Sequence, residues 1–248
     1  MTDQQVPPKR ATFVGKLRKR HHRFGSRHPQ IRWKGWLVIS LLLVTIAAFF
    51  FDTTAIGWVR QEPQWLHDFA GDITNAGKSG WILISAAVIG LAIHLGGRRF
   101  GGRRQRLRAI TIVHACVFIF ISVAASGVIS NFLKRLVGRA RPTLLDQVGN
   151  FHFRPFSNDY DFESFPSGHS TTDGALAMAL AILFPALRVP LLVLGFFLAA
   201  TRTLVGAHYP SDVIAGFSFG VWFSLLTAIV MARFGLLFRT GLPGTPRL

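Results

Sequence analysis

Residues 110–129 read ITIVHACVFIFISVAASGVI, twenty positions in a row without Asp, Glu, Lys or Arg. About 20 apolar residues are what a helix needs to cross the hydrocarbon core of a bilayer. Basic residues bracket the run, Arg103, Arg104, Arg106 and Arg108 before it and Lys134 and Arg135 after it. Further apolar runs occupy 36–51, 81–95, 171–184, 189–200 and 213–232. Several are short for a full span, and runs of about 10–14 residues suit buried core helices equally well. Six in one chain nevertheless predict an all-α, six-transmembrane-helix bundle.

The composition agrees. The chain has 248 residues, 50% hydrophobic and 16% charged, with 28 Lys+Arg against 11 Asp+Glu. An ordinary soluble domain carries about 25% charged residues. Twenty-three Phe with so few charges exclude a disordered chain. A single cysteine, Cys116, excludes an intramolecular disulfide framework and a CxxC-type metal site.

Basic residues set the orientation. With 1–35, the 96–108 loop, Arg188 and the segment from Arg233 on one side, that side holds 20 Lys/Arg and the other holds 8. The positive-inside rule places the heavier side in the cytoplasm. Both termini are then cytoplasmic, and 135–169 and 201–212 face the opposite compartment. Trp33 and Trp36 at one end of the first run, and Trp58, Trp65 and Trp81 near the other side, suit an aromatic belt. Three segments follow: a disordered basic cytoplasmic tail over 1–35, a membrane domain over 36–240 and a short cytoplasmic tail over 241–248. The tail holds Lys16, Arg18, Lys19, Arg20, His21, His22 and Arg23. A nucleic-acid arm has similar composition. The apolar run directly after it favours contact with anionic lipid headgroups, about 1 kcal/mol per basic residue. The basic region is too long for a cleaved signal peptide. Segment 60–72, with Trp65, Leu66 and Phe69, is expected to form a short interfacial helix.

Three polar clusters sit on the outer side, where the charge rule disfavours cations. The first is Lys134-Arg135-Leu136-Val137-Gly138-Arg139-Ala140-Arg141-Pro142. Four cations in eight residues repel one another unless an anion lies among them, although a solvated, snorkelling helix end would read the same way. The second is Pro166-Ser167-Gly168-His169-Ser170, just before the fourth run. It has the form of a helix N-terminus, which offers free N–H groups and a positive dipole end to phosphate. Plain N-capping beside an incidental histidine is the alternative. The third is Arg202-Thr203-Leu204-Val205-Gly206-Ala207-His208-Tyr209-Pro210-Ser211-Asp212. His208 and Asp212 are four residues apart, so a near-helical path brings them together. A carboxylate on one imidazole nitrogen fixes the tautomer and frees the other. A structural His–Asp pair capping the sixth helix is the alternative. Taken together, two histidines, an aspartate and several cations at one membrane face suit phosphoryl transfer.

These motifs resemble the type 2 phosphatidic acid phosphatase family. Its pattern is a lysine, six residues and Arg-Pro, then Pro-Ser-Gly-His, then Ser-Arg, five residues, His, three residues and Asp. Lys134 with Arg141-Pro142, Pro166-Ser167-Gly168-His169, and Arg202, His208 and Asp212 match it in order and spacing. Thr201 stands where the family usually has Ser, and the hydroxyl is retained. The resemblance implies an active site at the non-cytoplasmic interface. It implies His208 as a nucleophile forming a phosphohistidine, Asp212 orienting it, and His169 as general acid. Lys134, Arg141, Ser167, Gly168 and Arg202 would hold the phosphate, with neither metal nor other cofactor. Arg135 and Arg139 match no motif position; they support the site or bind a second anionic group. Neutral His208 with protonated His169 would give a bell-shaped pH–rate curve.

The implied partner is a membrane lipid with a phosphate headgroup in the bilayer, with no nucleic acid and no obligate protein partner. The expected setting is the inner (plasma) membrane with a periplasmic or extracellular site. Phe151, Phe153, Phe156, Tyr160, Phe162 and Phe165 form a lid over the headgroup or an ordinary membrane-facing loop. The motifs do not choose among undecaprenyl diphosphate, phosphatidylglycerol phosphate and phosphatidic acid. These are the first expectation, and a lipid A phosphatase or a lipid phosphotransferase is the alternative. A vanadate haloperoxidase shares the pocket, but the spans argue against it. A non-catalytic lipid binder conflicts with the complete His208, Asp212 and His169 set. Asp52, Asp68, Asp72 and His152 receive no role, and His94 and His114, inside apolar runs, are expected to be buried, paired helix residues rather than ligands. Asp173 is expected in the first turn of the fourth helix, and Cys116 as a small buried residue.

Overall fold

The computed structural model describes residues 33–97 and 101–237, together with 12, 15, 21, 22, 239, 240, 246 and 247. The expectations for the two tails fall almost wholly outside these residues. Eight helices form the body: α1 (Trp33–Phe50), α2 (Asp52–Val59), α3 (Gln64–Thr74), α4 (Ser79–Gly96), α5 (Arg103–Val137), α6 (Gly168–Leu183), α7 (Arg188–Leu204) and α8 (Pro210–Arg233). Among the described residues five segments are long and apolar enough to cross a membrane: Trp33–Phe50, Gln64–Gly96, Arg103–Val137, Pro185–Leu204 and Pro210–Arg233.

The fourth predicted run differs from the other five. Helix α6 has only 16 residues, and twelve of them are buried. It is the axis of the bundle, surrounded by α5, α7 and α8. With twelve of its sixteen residues buried by its neighbours, α6 is a core helix without a lipid-facing stripe. Helix α1 is its opposite. Only Ala47 is buried there, and Leu37, Val38, Leu41, Leu42 and Phe49 are all exposed. Such a surface is stable only against lipid tails.

Glycines set how closely the central helices approach. A Cβ on Gly174 would stand 2.2 Å from the Phe217 carbonyl oxygen. On Gly216 it would stand 2.3 Å from the Ser167 oxygen, and on Gly220 2.1 Å from the Thr171 oxygen. Gly216 and Gly220 form the small-xxx-small spacing that lets membrane helices touch backbone to backbone. The α6–α8 contact carries both ends of the site, because Ser167 opens α6 and Asp212 lies in the first turn of α8.

Helix α5 extends further than its apolar run, over 35 residues from Arg103 to Val137. At 1.5 Å per residue it is about 50 Å long, more than the roughly 30 Å hydrocarbon core. Its far end therefore carries Lys134 to one end of the bundle. Gly138 ends the helix at φ +63, with the Arg154 carbonyl oxygen where a Cβ would stand. The segment 60–72, expected to form a short helix, contains α3, with Pro63 at its N-cap, and α2 precedes it. Asp173 lies in the second turn of α6, not the first, because the helix already starts at Gly168. Its Oδ1 would be 2.7 Å from a Cβ on Gly77, so the 75–77 turn lies against it. Cys116 is half-buried against Gly90.

Gly220→Ala is expected to cost on the order of 1–3 kcal/mol through overpacking, lowering the thermal unfolding midpoint in detergent. Gly71→Ala, with nothing within 4 Å of the new methyl, should leave that midpoint in place.

Candidate active site

The Asp212 carboxylate is wholly buried, and donors from three parts of the chain surround it. Arg139 Nη1 donates to Oδ1 at 2.6 Å. The Ser164 hydroxyl donates to Oδ2 at 2.5 Å, and the Tyr209 backbone N–H donates to Oδ2 at 3.1 Å. Local sequence makes the last bond. Pro210 starts α8, and an acid at the third helical position reaches back to the N-cap N–H. His208 Nδ1 lies 3.7 Å from Oδ2, within ion-pair reach but beyond a hydrogen bond. Such contacts commonly tighten only when substrate is bound.

His208 is presented by the turn after α7. Its N–H and that of Ala207 both point to the Arg202 carbonyl, at 3.3 and 3.1 Å, and Gly206 makes the reversal at φ +67. The imidazole is 1% exposed. Burial lowers its pKa to about 3, with Lys134 and Arg141 pulling the same way and Asp212 opposing them. It is therefore neutral at ordinary pH, which a nucleophile requires.

His169 is the second residue of α6 and half-buried. Ser167 caps that helix, accepting from the Ser170 N–H at 3.4 Å and the Ser170 hydroxyl at 2.9 Å. Its own N–H donates to the Asp212 backbone oxygen at 3.1 Å, which joins the starts of α6 and α8. Lys134 Nζ lies 3.7 Å from where a Cβ on Gly168 would stand. Burial, and then the charges of Arg202, Lys134, Lys78 and Arg141, lower the His169 pKa to about 4, so it holds a proton at neutral pH only when an anion offsets those cations. The residues selected from sequence are thus brought together at one end of the bundle.

The cations are held in different ways. Arg141 donates to three backbone carbonyls, from Tyr160 at 3.0 Å, Ala207 at 3.0 Å and Glu163 at 3.1 Å, and its guanidinium lies 3.9 Å over the Tyr160 ring. Arg202 Nη1 points to the Thr74 hydroxyl at 3.4 Å, and its buried Nε makes no hydrogen bond. Among the described residues, neither of them nor Lys134 forms a salt bridge with a carboxylate. Their charge remains available to an anion. Arg139 is the contrast. Besides Asp212 it binds Asp52 Oδ2 at 2.8 Å, the Ser211 hydroxyl at 2.7 Å and the Asn150 carbonyl at 3.1 Å through Nε. Burial would lower its pKa, but Asp212 and Asp52 outweigh that and raise it. Arg135 is exposed and only 3.6 Å from Glu163.

Asp52, Ser164 and Ser211 are residues the sequence reading missed. The only signal was an acid directly after Phe49-Phe50-Phe51, at the end of an apolar run. In the aromatic loop, Phe151, Phe153, Phe156 and Tyr160 are exposed, whereas Phe162 is buried.

Comparison with known proteins places this geometry. The PAP2 superfamily model matches residues 114–235, which contain all three motifs. A lipid A 1-phosphatase of Rhizobium johnstonii is 41% identical over 94% of this chain and 95% of its own length. The chain belongs to the PAP2 superfamily. It is a multi-pass membrane protein and a lipid phosphatase. An undecaprenyl-diphosphatase of Bacillus subtilis is 32% identical over 61% of the chain and 66% of that protein. The crystal structure of a transmembrane PAP2-type phosphatidylglycerolphosphate phosphatase from Bacillus subtilis shares the fold. Its TM-score is 0.53 at 20% identity, covering 78% of this chain and 92% of that one.

For this PAP2 chain the acid limb of kcat/KM should fall well below the 6.5 of free histidine, because His208 gains its proton only near pH 3. Phosphate release measured from pH 3.5 to 7 should retain activity at pH 5. A limb centred near 6.5 would show that the buried histidine does not control the rate.

Proposed function

We propose that the chain hydrolyses the phosphomonoester at the 1-position of lipid A, through a phosphohistidine on His208. The observation that carries this reading is near full-length similarity, 41% over 94% of the chain, to a lipid A 1-phosphatase, with a second from Rhizobium etli 41% identical over 88%. The undecaprenyl-diphosphatase of Bacillus subtilis is both less similar and matched over a shorter stretch. This similarity favours lipid A, the alternative, over the isoprenoid and phospholipid phosphates expected first. The distribution of basic residues supports cytoplasmic termini in the inner membrane and a site on the outer side.

In the first step His208 Nε2 attacks phosphorus. An N–P bond forms, the ester P–O bond breaks, and the leaving oxygen takes the His169 proton. Asp212, on the Nδ1 side, balances the charge that develops on the ring. In the second step His169 takes a proton from water as that water attacks phosphorus. The N–P bond breaks, inorganic phosphate leaves, and both histidines return to their starting states. Lys134, Arg141 and Arg202, with the Ser167–Gly168 helix start, stabilise the equatorial oxygens. Three cations unpaired with carboxylates supply the positive charge that a metal ion provides in other phosphatases.

The test is phosphate release in detergent with excess chelator from lipid A, undecaprenyl diphosphate, phosphatidylglycerol phosphate and phosphatidic acid. Lipid A is expected to turn over fastest, with loss of its 1-phosphate as free inorganic phosphate. His208→Ala should lower the rate on the order of a thousandfold or more. A preference for undecaprenyl diphosphate would overturn the substrate assignment, and phosphate appearing on an acceptor lipid would make the chain a phosphotransferase.

A further inference from the structure

We propose that Asp52 and Arg139 are positioning residues that hold and charge-balance the Asp212 carboxylate, making the junction of α1 and α2 part of the working site. This rests on the reading of His208 as nucleophile. Asp52 is the first residue of α2 and wholly buried, far in sequence from every motif. Its Oδ1 accepts the Ser211 backbone N–H at 2.9 Å, and its Oδ2 accepts the Ser211 hydroxyl at 2.6 Å and Arg139 Nη2 at 2.8 Å. Arg139 spans the gap, with one nitrogen on Asp52 and the other on Asp212. Its guanidinium also lies 4.4 Å over the Tyr209 ring, which fixes the plane of the fork.

The charge count explains why a second carboxylate is needed. His208 gains positive charge as it attacks phosphorus, and Asp212 must balance it. Arg139, at 2.6 Å from Asp212, would cancel that carboxylate if it stood alone. Asp52 shares the guanidinium, so two carboxylates and one cation leave one net negative charge beneath the imidazole. The other charges that bear on His208 are cationic, Lys134 from α5 and Arg141 from the outer loop. Among the described residues Asp52 forms no hydrogen bond or salt bridge with Lys134, Arg141, Ser167, Gly168, His169 or Arg202, and its side-chain bonds go to Arg139 and Ser211.

Asp52→Asn keeps the shape and removes the charge. In the full-length protein, kcat should fall at least tenfold while KM stays within twofold. Inhibition by vanadate, which bonds to the nucleophile as a five-coordinate phosphorus mimic, should weaken at least tenfold. Inhibition by inorganic phosphate should stay within twofold. An unchanged kcat, or equal weakening toward vanadate and phosphate, would overturn the proposal. If Asp52→Asn does not fold, Ser211→Ala decides: a fall in kcat of threefold or more with KM unchanged supports the proposal, and wild-type kinetics reduce the network to a folding role. His208→Ala is run beside them. If it retains wild-type turnover, the reading of the nucleophile fails; if it is inactive while Asp52→Asn is normal, only the present inference fails.

Discussion

A buried arginine held between two buried carboxylates organises the active-site end of this protein. Taking three charges out of water is expensive, and such a cluster persists only when geometry and hydrogen bonding are nearly complete. Arg139 meets that condition, with donors directed to Asp52, Asp212, the Ser211 hydroxyl and the Asn150 carbonyl. Lysine, with one point charge, has no comparable fork. The consequence is topological. One side chain ties the end of the first span, the loop after α5 and the start of α8 into one unit. Each of those segments could otherwise shift independently at the membrane surface.

Beneath this unit the bundle supplies rigidity in a different way. Bilayer tails are as apolar as leucine, so no hydrophobic gain drives helix against helix. Close backbone approach has to do it, and the glycines of α6 and α8 allow that approach. The same glycines fix the Ser167 carbonyl against Gly216 and so set the height of the α6 N-terminus relative to Asp212. The deeper contact thereby positions the groups above it.

Local pattern was enough to read most of the apolar helices and the three motifs, whose residues meet at one end of the bundle. Periodicity could not give the shortness of α6, since an apolar run looks alike whether lipid or protein surrounds it. The start of α5 was missed because Arg103 to Arg108 is polar, although helix formation continues through it. Arg139 was visible as one cation among four. Its role was not, because its partners lie 73 and 87 residues away in the chain. Arg141, two residues on, has the same chemistry and a different fate, bound by carbonyls instead of carboxylates. Sequence gives the residue type, while only the fold determines which arginine is neutralised.

That difference divides the charge of the site into two layers. Lys134, Arg141 and Arg202 keep their charge uncompensated by a salt bridge among the described residues, and in the proposed reaction they would face the phosphate. Behind His208 lie Asp212, Arg139 and Asp52, with a net charge of opposite sign. In the proposed reaction a phosphoryl group passing to the imidazole would move from the cationic layer toward the paired carboxylates. The first layer stabilises the phosphate oxygens throughout, and the second stabilises only the ring that becomes charged. Interactions that strengthen in the transition state raise kcat, and uniform ones do not. The second layer therefore belongs to the rate, and the first to binding and rate together.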